Sequence, residues 1–314
     1  MEKKYFITGG AGLIGLQVAL ELHKKNKKVQ IYDLKEQIDK IKNFIPKNIK
    51  TTSGSILDIV KLKKAMLGYN YIFHLAAMLG VQATEDDKLS CLRINIDGTK
   101  NVLDAAVHNN AEHFIFSSSS EVYGEPQINP VKENSLTIGK TVYGISKLAG
   151  EELCKAYSQK YDIKYTILRY FNTYGSNQKK NFVITKFIEQ INNKEKIIIN
   201  GNGQQKRSYM FVTDAAAATA KASEIKKARN LTLNIGNGSD VITLIKLAKL
   251  IMKILRKKTK VIFDKKFAKN DRRINREIFY RYCNSDKAKK ILNWKPKINL
   301  EQGIKIIIKN KNSL

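Results

Sequence analysis

The chain has 314 residues, 43% of them hydrophobic, which suits one large globular domain or two lobes that share a cleft. No run of about 18 apolar residues occurs, so no membrane-spanning helix is expected, and the first residues enter a strand pattern directly, which predicts no signal peptide. The formal net charge is +29, but the excess is mostly lysine spread along the chain, with only nine arginines and no basic tail, which favours a solvated surface over a nucleic-acid groove.

A glycine-rich stretch lies between the first predicted strand, residues 4–7, and a helical pattern over residues 16–23. Its glycines fit the dinucleotide-binding fingerprint in two spacings, GxGxxG from residue 10 and GxxGxxG from residue 9. Glycines let the backbone approach a pyrophosphate, and the N-terminus of the helix directs N–H groups at it. The residues expected to bind the dinucleotide here are Gly9, Gly12, Leu13, Ile14 and Gly15.

Asp33 ends a second predicted strand, residues 28–33, about 20 residues beyond the glycines. A carboxylate at this position accepts hydrogen bonds from both hydroxyls of the adenosine ribose and repels a 2′-phosphate. No arginine follows it closely, although Lys35 lies near. We therefore predict NAD as the cofactor rather than NADP.

Strand and helix patterns alternate through the first half of the chain and predict an α/β, Rossmann-type doubly wound parallel sheet. After residue 175 the alternation loosens, and residues 231–236 read as a strand that returns to the main sheet. The predicted NAD-binding domain is therefore 1–175 plus about 208–240. A smaller, interleaved substrate-binding lobe is predicted from about 176–207 and 241–314.

Tyr143 and Lys147 are four residues apart, on one face of a predicted helix. Free tyrosine has a pKa near 10, and a nearby ammonium favours the phenolate, so we expect Lys147 to lower the pKa of Tyr143. A phenolate can take the proton of a hydroxyl while hydride leaves the same carbon for nicotinamide. Lys147 can also hold the nicotinamide ribose.

Ser119 and Glu121 follow the predicted strand over residues 113–116, where the ligand cleft of such a sheet opens. We expect the Ser119 hydroxyl to hydrogen-bond the substrate oxygen beside Tyr143. Glu121 has two interpretations, which the sequence leaves open. It removes a carbon-bound proton next to a ketone, or it binds a sugar hydroxyl or caps the turn.

Three cysteines, Cys91, Cys154 and Cys283, are odd in number and widely scattered. This pattern predicts neither a disulfide framework nor a zinc site. It fits a reducing compartment, so we expect a cytoplasmic protein without a metal site.

Taken together, motifs from nearly the whole chain resemble the extended short-chain dehydrogenase/reductase family, in its nucleotide-sugar epimerase/dehydratase branch. The matching segments are residues 8–15 (TGGAGLIG), 74–77 (HLAA), 95–99 (NIDGT), 116–124 (FSSSSEVYG), 143–147 (YGISK), 169–175 (RYFNTYG) and 292–296 (LNWKP).

The resemblance implies tightly held NAD that is reduced and reoxidised within one turnover, while a sugar hydroxyl, typically at C4, becomes a transient ketone. It also implies a homodimer formed by the helices over residues 95–107 and 142–161. The cofactor contacts that it adds are Leu75, Ala76 and Ala77. The substrate contacts that it implies, on a nucleotide-diphosphate sugar, are Ser119, Ser120, Asn172, Arg207, Arg272 and Arg273.

The segment Ser119-Ser120-Glu121 bears on the choice of reaction. Related 4,6-dehydratases commonly have an aspartate where this chain has Ser120, and that aspartate acts as the acid that expels a hydroxyl. Related decarboxylases often have Ser-Glu here, but residues 176–181 lack their usual Met/Asp/Gly/Arg stretch. We therefore favour a UDP-sugar 4-epimerase, with a dehydratase or decarboxylase as the alternative. A nucleotide-sugar reductase and a non-catalytic NAD sensor are less favoured.

Overall fold

The structure of the chain is a computed structural model, which describes residues 3–264 and 277–311. Its strands are β1 (Lys4–Thr8), β2 (Lys28–Asp33), β3 (Lys50–Ser53), β4 (Tyr71–His74), β5 (His113–Ser119), β6 (Lys164–Tyr170), β7 (Thr173–Tyr174), β8 (Ile197–Asn200), β9 (Lys206–Ser208), β10 (Met210–Phe211), β11 (Leu231–Ile235), β12 (Val241–Thr243), β13 (Val261–Asp264) and β14 (Tyr280–Arg281).

The helices are α1 (Leu13–Lys24), α2 (Lys35–Ile41), α3 (Ile59–Ala65), α4 (Val81–Asp86), α5 (Lys88–Leu92), α6 (Gly98–His108), α7 (Val142–Tyr161), α8 (Val183–Asn192), α9 (Val212–Glu224), α10 (Leu244–Leu255), α11 (Asp286–Leu292) and α12 (Leu300–Lys311). A π-helical turn, Arg93–Asp97, joins α5 to α6, and a 3₁₀ turn, Ser120–Tyr123, follows β5. Within the described ranges, no helix is long and apolar enough to cross a bilayer.

Seven strands form one parallel sheet in the order β11-β6-β5-β4-β1-β2-β3. Its central strands are short and continuously apolar, as strands buried on both faces must be. Ile7 on β1, for example, lies between Ile31 on β2 and Phe73 on β4. The order reverses at β1, between β2 and β4, so a crevice opens beyond the carboxyl ends of these strands. The predicted doubly wound fold is confirmed.

Helices cover both faces of this sheet. On one face, α1 and α9 pack around Val18, Leu22 and Ala218, and on the other α3, α6 and α7 pack around Phe114 and Leu103. The predicted return of the chain is also confirmed, because β11 pairs with β6 at the edge of the sheet.

A smaller group of elements stands over the carboxyl ends of the sheet. It contains the three-stranded sheet β12-β9-β14, the pair β13-β8 and a core to which α8, α10 and α12 contribute Phe187, Leu247 and Ile304. Helix α11 instead packs on β11 and α9, and Trp294 joins the core of the large sheet. The exact division of the two lobes therefore stays a prediction.

Candidate active site

The glycine loop after β1 makes a cradle that side chains would fill. Gly9 has a φ of +69°, and a Cβ there would lie 2.4 Å from the backbone nitrogen of Ala76. A Cβ at Gly15 would lie 2.2 Å from the carbonyl oxygen of Gly9. Helix α1 begins at Leu13 with no side chain capping its first N–H groups, and such groups bind anions. The loop therefore has the form that a pyrophosphate requires.

Asp33 ends β2 at the wall of the same cleft. Its carboxylate accepts hydrogen bonds from the backbone N–H groups of Ala11, at 3.0 Å, and Leu34, at 2.8 Å. Burial raises the pKa of Asp33, and the two backbone donors oppose that rise. The carboxylate thus fixes the glycine loop and lies where the adenosine ribose is predicted to bind.

The loop after β4 closes the cleft on the opposite side of the cradle. Leu75, Ala76 and Ala77 line it, and the Leu75 N–H donates to the carbonyl of Thr8 at 3.0 Å. Asn95, in the π-helical turn, holds this loop. Its amide bonds both backbone groups of Met78 and donates to the Ser146 hydroxyl at 3.0 Å. Turns of this kind are frequent at functional sites.

The structure brings Tyr143 and Lys147 into the cleft, near the start of α7. The Lys147 Nζ lies 5.7 Å from the centre of the Tyr143 ring and 5.0 Å from that of Phe116. Gly150 allows this approach, because a Cβ there would lie 2.3 Å from the Phe116 ring. Lys147 is 2% exposed and Tyr143 is half-buried.

Burial dominates the acidity of this pair. It lowers the pKa of Lys147 to about 8 and raises the pKa of Tyr143 well above its usual value, with the Glu121 carboxylate adding to that rise. The pKa of Tyr143 therefore lies above its usual value in this structure, and the lowering expected from Lys147 stays a prediction. The loss of hydration around the phenol and the negative charge of Glu121 account for this rise.

Ser119, Ser120 and Glu121 lie against the start of α7. The Thr141 hydroxyl accepts from the Gly144 N–H at 3.0 Å, which caps the helix, and donates to Glu121 Oε2 at 3.1 Å. The Ser119 Oγ accepts from the Glu121 N–H at 3.1 Å, which leaves the serine proton to donate. Ser120 is 2% exposed. These contacts explain how a turn and a helix far apart in the chain share one site.

Arg281 is a site residue that the sequence analysis missed. Its Nη2 donates to Glu121 Oε1 at 2.8 Å, and its side chain is only 4% exposed. In the described ranges, its Nε and Nη1 atoms have no hydrogen-bond partner. An arginine 160 positions from its partner gives no local pattern, so no sequence signal could have found it.

Two further predicted substrate contacts, Asn172 and Arg207, also line the cleft, but other groups already engage them. Arg207 donates to backbone carbonyls, including that of Phe279 at 3.1 Å, and its Nη2 lies 3.5 Å from Glu277 Oε1. Burial, with Arg281 adding to it, lowers the pKa of Arg207 to about 10, which keeps it protonated at neutral pH. Asn172 donates to the Ser208 carbonyl at 2.9 Å. Arg272 and Arg273 lie outside the described residues.

These groups surround one continuous cleft of about 1,480 Å³. A single small-molecule site usually occupies about 300–1,000 Å³. The cleft runs from the glycine cradle past Tyr143 to Arg207. It therefore has room for a dinucleotide and a second ligand that meet at Tyr143.

A model of the NAD dependent epimerase/dehydratase family matches residues 5–236. The chain belongs to this family. As a member of the epimerase/dehydratase family it uses NAD. The glycine cradle and Asp33 are the groups predicted to bind that cofactor.

Individual members of the family match nearly the whole chain. It is 32% identical to the UDP-N-acetyl-alpha-D-glucosaminuronate decarboxylase of Bacillus cytotoxicus, over 97% of this chain and 96% of that protein. UDP-glucuronic acid 4-epimerase from Bacillus cereus, solved with UDP-glucuronic acid and NAD, superimposes with a TM-score of 0.89 at 28% identity, covering 98% and 99% of the two chains. UDP-glucose 4-epimerase from Thermotoga maritima, solved with UDP-glucose, gives 0.88 at 27% identity and 99% of each chain.

Proposed function

We propose that the protein is a UDP-sugar 4-epimerase, which inverts a carbinol centre through a transient 4-keto sugar. The observation that carries the proposal is the position of Tyr143 and Lys147. Both line the cleft between the glycine cradle and the Ser119–Glu121 turn. The solved relatives with UDP-glucuronic acid and with UDP-glucose support the choice of a UDP-sugar.

In this proposal the glycine cradle and Asp33 would hold NAD, which would supply reversible hydride transfer at C4. The Tyr143 phenolate takes the C4 hydroxyl proton and gives it back, while Ser119 donates a hydrogen bond to the same oxygen. Lys147, buried and four residues along the helix, supplies positive charge beside the phenolate. Because burial raises the pKa of Tyr143, the substrate and cofactor must add the stabilisation that the free site lacks.

The residue at position 120 argues against a dehydratase. Expulsion of a sugar hydroxyl needs an acid near the leaving group, and Ser120 is a poor proton donor at neutral pH. The nucleotide diphosphate of the substrate is proposed to contact Asn172 and Arg207, together with Arg272 or Arg273. Arginine suits the diphosphate because its planar fork matches phosphate oxygens.

A decarboxylase is the second candidate. Glu121 in the cleft and the 32% identity to a UDP-N-acetyl-alpha-D-glucosaminuronate decarboxylase favour it. Incubating the purified protein with UDP-glucose, UDP-N-acetylglucosamine and UDP-glucuronate, and resolving the products by NMR, separates the candidates. Inversion at C4 supports the epimerase. A pentose product with released CO₂ supports the decarboxylase, and a 4-keto-6-deoxy product contradicts both.

We also propose that the protein is a cytosolic homodimer. Cys91, Cys154 and Cys283 are all unpaired and buried, as in a reducing compartment. Helices α6 and α7 pack side by side, and α7 exposes Ile145 near its start and Tyr161 at its end. Light scattering coupled to size-exclusion chromatography tests the dimer. A measured mass near 35.7 kDa, that of one chain, would contradict it.

A further inference from the structure

Glu121 is a carboxylate in the cleft whose two oxygens are both held. Its Oε1 accepts from Arg281 Nη2 at 2.8 Å and its Oε2 accepts from Thr141 Oγ1 at 3.1 Å. The side chain of Glu121 is 11% exposed. A charge-assisted hydrogen bond at a position so shielded from water stabilises the ionised carboxylate and fixes its orientation.

Arg281 is itself held firmly by its strand. β14 pairs with β9 in parallel register, with Arg281 opposite Arg207. On either side of the short strand, the Cys283 N–H donates to Ser208 Oγ at 3.1 Å, and the Phe279 N–H donates to the Glu125 carboxylate. The guanidinium therefore reaches Glu121 from a short strand whose backbone is hydrogen-bonded on both sides.

A carboxylate at this place without those hydrogen bonds would be a base able to act on carbon. A 4-keto sugar has acidic C–H bonds on the carbons next to C4. A base there takes such a proton, the C–H electron pair forms a C=C bond, and the carbonyl electrons move to oxygen as an enolate. Reprotonation by the same carboxylic acid, after its proton has exchanged with water, restores the ketone with no net oxidation.

We propose that Arg281 is a positioning residue that restrains Glu121 and so keeps the neighbouring carbon of the 4-keto sugar from exchanging its proton. With both oxygens engaged, Glu121 orients the cleft without acting as a carbon base. The reaction then stays a clean inversion at C4, because only hydride and the hydroxyl proton move. This inference rests on the proposed epimerase function.

Turnover in D₂O tests whether Arg281 restrains Glu121. The product is returned to H₂O to remove hydroxyl deuterons, and its mass and NMR spectrum report deuterium bound to carbon. We expect the wild type to invert C4 with almost no carbon-bound deuterium. Arg281→Met, which keeps an unbranched apolar stem but removes the donors, should raise deuterium incorporation per turnover by about a hundredfold, the lower end of what a positioned acid–base group contributes.

Two matched variants test whether the change in deuterium incorporation comes from the contact between Arg281 and Glu121. Arg281→Lys, which keeps a cationic donor, should bring incorporation back toward the wild-type level. The double variant Arg281→Met with Glu121→Gln should incorporate no more than the wild type, because the base is gone. A change in packing alone would not be reversed by Glu121→Gln.

If Arg281→Met does not fold, as judged by circular dichroism, Thr141→Val releases the other oxygen of Glu121. It should raise incorporation, while Thr141→Ser, which keeps the hydroxyl, should not. The proposal is overturned if the wild type already exchanges carbon-bound protons during inversion. Folded Arg281→Met or Thr141→Val that inverts C4 without extra deuterium overturns it too. A wild type that inverts no UDP-sugar contradicts the proposed function instead, and the restraint falls with it.

Discussion

Tyr143 shows how burial and charge compete at one phenol. Its neighbours raise its pKa, because the cleft wall removes water and Glu121 adds negative charge. The Lys147 Nζ lies 5.7 Å from the centre of the ring, but burial disfavours the charge of that lysine. A raised pKa disfavours the phenolate in the free site, so we expect proton transfer to depend on bound substrate and cofactor.

Tyr143→Phe removes only the hydroxyl and keeps the ring that packs at the start of α7. We expect turnover to fall by about 10²–10⁴-fold, the usual contribution of a positioned acid–base group, while NAD stays bound. Product formation and the NAD content of the purified protein measure the two effects. Tyr161→Phe, at the exposed end of the same helix, is the control and should change neither.

Lys147 gives a pH dependence of stability whose sign follows from burial. Its pKa is about 8 in the folded protein against 10.5 for the free side chain. Between these values the unfolded chain binds a proton that the folded one has released, so stability rises with pH. Below pH 8 both forms are protonated, and the fold carries the full cost of the buried charge, about 3 kcal/mol.

Lys147→Met should therefore gain stability relative to the wild type at pH 7, and this gain should shrink by up to about 3 kcal/mol as the pH rises to 10. Urea unfolding at both pH values gives the difference. Lys155→Met, on the exposed face of α7 beside Glu152, is the matched control. If the stability gain of Lys147→Met over the wild type does not change with pH, the lysine is not buried in its charged form.

At the scale of single elements, the glycine loop depends on close backbone contact. Gly9 combines a left-handed φ with a Cβ position 2.4 Å from the Ala76 nitrogen, whereas Gly68, at φ +79°, has its nearest neighbour 3.9 Å away. Substitutions at these two glycines therefore distinguish the effect of backbone strain from the effect of the close contact in the cradle.

Gly9→Ala should weaken NAD binding by at least about tenfold, because a methyl group there pushes the two loops apart. Gly68→Ala shares the strain, of order 1–2 kcal/mol, and should leave NAD affinity intact. Calorimetric titration with NAD, after removal of bound cofactor, compares them. Equal losses of affinity in both variants would mean that strain alone, and not the contact with Ala76, governs binding.

Over the whole molecule, the chain carries a net charge of +29, and its cleft is proposed to bind anionic ligands. Exposed lysines such as Lys179 lie on its lining. Charges of this kind attract anions over distances near the Debye length, about 10 Å at 0.1 M salt.

We expect kcat/KM for a UDP-sugar to fall several-fold between about 20 and 300 mM salt, with kcat nearly constant, because salt screens the approach of the diphosphate. Lys179→Gln should flatten this dependence, and Lys226→Gln, an exposed lysine that does not line the cleft, should not. Steady-state rates across a salt series give the answer. Salt that lowers kcat rather than kcat/KM would point to an effect on the fold instead.

Much of the fold follows from local pattern. Short apolar strands that alternate with helical periods, and glycines at a strand end, predict a parallel sheet with a cofactor crevice because each signal lies within a few residues. The spacing of Tyr143 and Lys147 is local too. It places both side chains on one helical face whatever the rest of the chain does.

What the sequence alone determined is thus the doubly wound sheet, the glycine cradle with Asp33, and the Tyr143–Lys147 pair, since these depend on neighbours in the chain. The tertiary structure decided what surrounds them. It brought Arg281 from a distant strand onto Glu121, engaged Arg207 with the segment around Glu277, and removed so much water from Tyr143 that its pKa rises rather than falls. Hydration and long-range ion pairs depend on which surfaces meet after folding, and no spacing along the chain encodes them.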